Sequence, residues 1–107
     1  MIDFIYGPGT AEVELRDSYY NMREKVLPYP HLLERVKDAF VKCGVTPYAE
    51  PIRGGTDGAM LTWKGLPCPN LSTGGYNFHG IYEFIPTDAL EIMPEVLVSI
   101  AQSFVEE

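Results

Sequence analysis

Leu32, Leu33, Val36, Ala39, Phe40 and Cys43 recur at offsets of 0, 1, 4, 7, 8 and 11, a continuous apolar stripe along one face of an α-helix. This stripe constrains the fold more than any other feature of the chain. Pro30 suits the first turn and Gly44 the left-handed position just past the end, so a helix is predicted between them. His31, Arg35, Asp38 and Lys42 recur on the opposite face at spacings of three or four, which places His31 in solvent rather than in a metal or catalytic site. A second stripe, Leu90, Met93, Val96, Leu97, Ile100, Ala101 and Phe104, follows a helix start at Pro86-Thr87-Asp88. Pro94 falls inside it, and its missing amide hydrogen predicts a kink or a restart there.

Other segments carry weaker local signals. Residues 1–10 read as a lead-in that ends in a Gly7-Pro8-Gly9 turn. In residues 11–22, Glu12, Val13, Glu14, Leu15 and Arg16 alternate polar with apolar, the period of a half-buried strand. Pro47 and Pro51 make residues 45–53 extended. Thr56-Asp57 forms an N-cap for a short helix ending at Gly65, and residues 66–72 read as a short buried strand interrupted by prolines. Strand and helix therefore alternate three times, an α/β pattern.

A chain of 107 residues has the length of one domain, and its 46% hydrophobic and 21% charged content is that of a folded, soluble chain. Eight basic residues face fifteen acidic ones, a net charge of −7, with the greater imbalance in residues 51–107. Nucleic acid and anionic membrane surfaces both require concentrated positive charge, so neither is expected as a partner. The apolar runs are too short to span a bilayer and the N-terminus lacks the pattern of a secretory signal, which makes the cytoplasm the expected compartment. Cys43 and Cys68 lie far from CxxC spacing and read as buried thiols.

Three features could carry chemistry. In Gly-Gly-Tyr-Asn-Phe-His-Gly, residues 74–80, flanking glycines open backbone conformations closed to other residues and let a substrate or metal approach His79. The same residues equally describe a turn whose histidine makes an ordinary hydrogen bond. Glu83 follows His79 by four residues, but Gly80 argues against a helix that would pair them. Zinc needs three or four protein ligands, and no HExxH, HxD or cysteine cluster supplies them. Arg53, beside Gly54-Gly55 and a helix start, offers a planar donor fork suited to a carboxylate, or else pairs with Asp57 or another local acid. A phosphate-binding GxxxxGK[ST] loop is missing. Tyr19, Tyr20 and Asn21, with Tyr6 and Tyr76, could form an aromatic surface, although such tyrosines more often serve packing.

Together, DSYYNMREKV (17–26), PIRGGTDGA (51–59) and GLPCPNLSTGGYNFHGIYEF (65–84) resemble the C-terminal part of the peptidase T family, tripeptide aminopeptidases among the dinuclear zinc exopeptidases. The likeness runs from about residue 10 to the C-terminus. It implies a partial catalytic domain, with helices packed on a short mixed sheet, over residues 28–107, preceded by the end of a lid-like domain over 1–27. It implies that His79 is the last zinc ligand, that Arg53 holds the peptide's C-terminal carboxylate and that the Gly74-Gly75 backbone lines the substrate cleft. Asn77, on the substrate side, and Glu83 would support the site. The family's two zinc ions imply at most one incomplete site here, because the general base, the bridging aspartate and the other ligands belong to family segments preceding residue 1. No catalytic group is therefore assigned to this chain. Ile81-Tyr82 and Pro94 depart from the family pattern. The resemblance implies a fragment of an enzyme that removes the N-terminal residue of tripeptides, inactive alone and completed by the missing N-terminal portion. The alternative is a non-catalytic module that self-associates as a homo-oligomer or docks on a partner.

Overall fold

Two amphipathic helices pack side by side in the computed structural model, which describes residues 1–105. The helices in chain order are α1 (Ile2–Tyr6), α2 (Arg23–Val26), α3 (Pro30–Lys42), α4 (Asp57–Trp63) and α5 (Thr87–Val105). The last two residues of the expected 28–107 unit lie outside the described residues.

The expected stripe forms α3, with Pro30 in its first turn. Gly44, at φ +78°, reverses the chain so that the Val45 amide donates to the Phe40 carbonyl at 2.9 Å, closing the helix end. Its main partner is α5, and Ala39 and Val96 are the buried residues of the two helices. Arg35, expected in solvent, is half-buried: its guanidinium donates to the Ser103 carbonyl and lies 4.3 Å from the centre of the Phe104 ring. Its long stem lets a residue on the polar face reach the far end of α5. α5 runs through Pro94 as one helix, so the alternative of a restart there is not found.

The cap read at Thr56 is present, its hydroxyl accepting from the Ala59 amide at 3.1 Å. Thr62, 3% exposed, donates from its hydroxyl to the Gly58 carbonyl at 2.7 Å and accepts from the Cys68 amide at 2.9 Å. A side chain at Gly58 would meet the Cys68 carbonyl at 2.6 Å, so the segment after α4 lies directly on that helix. This corrects the expectation of a strand at 66–72: its backbone packs on α4 instead of joining a ladder. The short helix α2, which carried no sequence signal, packs on α4 through Trp63, whose indole donates to the Asn21 carbonyl at 3.2 Å.

No sheet forms among the described residues. The β component of the α/β expectation reduces to one antiparallel bridge between Tyr76 and Phe84. Residues 11–22 are irregular, with Val13 and Leu15 80% and 91% exposed, because alternation creates a strand only where a neighbour accepts its hydrogen bonds.

Dimensions of 65 × 35 × 17 Å and a radius of gyration of 19.5 Å exceed the roughly 13 Å of a compact chain of this length. The accessible surface, 9126 Å², exceeds the roughly 6,000 Å² of a compact 12.0 kDa protein. Among the described residues only Val26, Ala39, Ala59 and Val96 form a buried apolar core. The described residues pair two helices without closing an interior around them. No described helix is long and apolar enough to cross a membrane.

Candidate functional site

Residues 76–84 form a closed hairpin immediately before α5. Tyr76 and Phe84 exchange backbone hydrogen bonds of 2.8 and 3.2 Å, and their rings stack with centroids 5.2 Å apart and planes inclined by 16°. Inside the hairpin the Gly80 amide donates to the Asn77 carbonyl and the Glu83 amide to the Gly80 carbonyl, at 3.1 and 3.2 Å. The Asn77 side-chain amide donates to the Tyr82 carbonyl at 3.4 Å. The Glu83 carboxylate accepts from the His79 backbone amide at 2.7 Å. Asn77 and Glu83 thus brace the loop from within.

Two non-glycine residues of this loop, Asn77 and His79, have positive φ, 56° and 65°. Asn and His tolerate this region better than most side chains, but it still costs about 1 kcal/mol or more. The His79 imidazole is exposed and makes no hydrogen bond among the described residues. His79 makes an ordinary hydrogen bond in this turn, through its backbone amide to the Glu83 carboxylate. The main chain and Glu83 hold the turn.

Gly74 and Gly75 seat the hairpin. Gly74, at φ +83°, lies so close to the first turn of α5 that an added Cβ would be 2.6 Å from Ala89 Cβ. A Cβ on Gly75 would meet the Phe78 ring at 2.8 Å. Their amides donate to Ser72 Oγ and Thr73 Oγ1 at 3.0 and 3.4 Å.

Arg53 is exposed in the turn before α4 and makes no ion pair with Asp57 or any other carboxylate among the described residues. Gly54 adopts φ +73°, and the Tyr19 ring lies directly over Gly55. No hydrogen bond, ion pair or ring contact joins Arg53 to the His79 hairpin among the described residues. The Tyr19–Gly55 contact escaped the sequence reading, although a Gly-Gly pair directly before an N-cap signals close approach of another group.

Zinc takes three or four protein donors. Among the described residues no three His, Cys, Asp or Glu side chains converge, and the one carboxylate bonded to the His79 loop is engaged by its amide. The described residues of this chain therefore do not by themselves fit a zinc site.

No protein-family model matches the chain. Curated proteins do. The chain is 56% identical over 94 residues to "Peptidase T" of Vibrio parahaemolyticus serotype O3:K6, a match covering 88% of this chain and 23% of that protein. It is 54% identical over 99 residues to "Peptidase T" of Caldanaerobacter subterraneus subsp. tengcongensis, and 48% identical over 99 residues to that of Shewanella sediminis; each match covers 92% of this chain and 24% of the relative. The chain spans about a quarter of the length of these relatives.

Proposed function

The chain corresponds to a C-terminal segment of peptidase T, and from that premise we propose that it supplies part of the active site of a peptidase T-like zinc aminopeptidase, an enzyme releasing the N-terminal residue of tripeptides. His79 contributes one imidazole to a two-zinc centre. Arg53 holds the C-terminal carboxylate of the peptide through its planar fork. Gly74, Gly75 and Asn77 form the substrate side of the hairpin. The general base and the remaining ligands lie on polypeptide outside this chain, and the isolated chain is inactive. In that assembly residues 1–27 end the lid-like unit and residues 28–107 belong to the catalytic one, in the cytoplasm.

The reading is carried by the exposed imidazole of His79, held on a positive-φ backbone by bonds that leave both its ring nitrogens without a hydrogen-bond partner among the described residues. Complementation tests it. The last 94 matched residues would be removed from the Vibrio parahaemolyticus relative and this chain supplied in trans, with tripeptide hydrolysis as readout. Activity should return with this chain and fail with His79→Ala; equal activity with both chains would refute the assignment of His79.

A second reading, a self-associating or partner-docking module without catalysis, is favoured by one observation. About 3,000 Å² of surface beyond that of a compact chain is exposed, an area in the range that obligate interfaces bury. Sedimentation of the chain as a stable homo-oligomer that fails to complement the truncated peptidase supports this reading; a monomer counts against it.

A further inference from the structure

A residue distant in sequence covers the Arg53 turn. We infer that Tyr19 is a positioning residue for Arg53: its ring lies across Gly55, fixes the Arg53-Gly54-Gly55 turn, and so presents the guanidinium to a carboxylate. This rests on the reading of Arg53 as the anchor for the substrate's C-terminal carboxylate.

The contact is unusually close. A Cβ built on Gly55 would collide with Cγ, Cδ1 and Cδ2 of Tyr19 from above the ring, so the ring face rests on bare backbone. Only glycine permits that approach. On the other side of the turn, Thr56 Oγ1 accepts from the Ala59 amide at 3.1 Å and from Asn70 Nδ2 at 3.0 Å, fixing its downstream end on α4. Residues 45–52 upstream have no regular structure. Tyr19 thus supplies the cover that the upstream side lacks.

Tyr19 is itself held by its neighbours. The Tyr20 ring lies 5.2 Å from that of Trp63, the Asn21 carbonyl accepts from the Trp63 indole, and Met22 Sδ lies 4.0 Å from the Thr62 hydroxyl. Lys25 Nζ sits 4.8 Å from the Trp63 ring centre. Trp63 and Thr62 belong to the helix that begins just after the turn, so Tyr19 and the turn ride on one framework. The Tyr19 hydroxyl makes no hydrogen bond among the described residues, which assigns the role to the ring. An ordered turn loses less freedom when the arginine engages its ligand, and that gain appears in binding.

The test uses the complementation assay with a tripeptide and its C-terminal amide. Tyr19→Ala should raise KM for the free-carboxylate peptide about tenfold at unchanged kcat, the signature of lost ground-state binding. KM for the amide should not change, and Tyr19→Phe should behave as the parent. A shift of equal size for both substrates, or of neither, overturns the inference. Arg53→Ala separates the two claims. If it leaves the preference for the carboxylate intact, the anchor fails and this inference with it; if it abolishes a preference that Tyr19→Ala retains, Tyr19 alone is misassigned. Should Tyr19→Ala fail to assemble, amide hydrogen exchange of the isolated chain decides: Gly54 and Gly55 should exchange about tenfold faster with α3 and α5 unchanged, and equal rates overturn the inference.

Discussion

Tyr76 and Phe84 stack at 5.2 Å and join their backbones across the neck of the hairpin that carries His79. This pair forms the only bridge among the described residues, so the hairpin depends on it.

Phe84→Ala should therefore open the loop. Loss of the ring contact costs about 0.5–1.5 kcal/mol beyond area burial, and the amides of Asn77 to Glu83 should exchange faster while those of α3 do not. Complementation should fall, and Phe84→Tyr should restore it.

Gly74 and Gly9 form a matched comparison. Both have positive φ, 83° and 77°, but a Cβ at Gly9 meets nothing within 4 Å, whereas one at Gly74 presses on Ala89. Gly9→Ala should cost about 1 kcal/mol from conformation alone, and Gly74→Ala about 1–3 kcal/mol more from overpacking. Thermal unfolding followed by circular dichroism checks the difference; equal midpoints would show that Gly74 is not pressed on α5.

Thr62 holds the segment after α4 through a buried hydroxyl. Thr62→Val keeps the shape and leaves the Cys68 amide without its acceptor, at a cost of about 1–3 kcal/mol. Denaturant titration read by the fluorescence of Trp63 measures it, with Thr62→Ser expected near the parent value.

At the α3–α5 seam, Arg35→Ala should lower stability by about 1–2 kcal/mol through lost contact with Phe104 and the Ser103 carbonyl. Arg35→Lys should recover part of it. An unchanged unfolding midpoint in Arg35→Ala would contradict the bridging role.

Features encoded within a few residues were legible in the sequence. The stripe of α3, the cap at Thr56 and the stop at Gly44 are local devices, and each forms where its residues lie. The strands were not decidable in the same way. Val13 and Leu15 carry the right alternation, but a strand is a relationship between two segments, and among the described residues none pairs with theirs. Arg35 sits on the polar face by periodicity, yet a long side chain reaches α5 from there. That no HExxH, HxD or cysteine cluster accompanies His79 can be read directly from the sequence. That its imidazole would stand clear while Glu83 engages its amide cannot be read there, because both depend on the tightness of the turn. Tyr19 and Gly55 lie far apart in sequence, and only the folded chain brings them together.

Zinc titration by calorimetry, with and without the truncated Vibrio parahaemolyticus peptidase, tests the central claim most directly. The account predicts no tight stoichiometric site and no tripeptide turnover for the chain alone. It predicts tight zinc binding in the assembled protein and a weakened site when His79→Ala is supplied instead. Tight one-to-one zinc binding with turnover by the isolated chain would contradict it, as would an assembled protein whose zinc affinity is indifferent to His79.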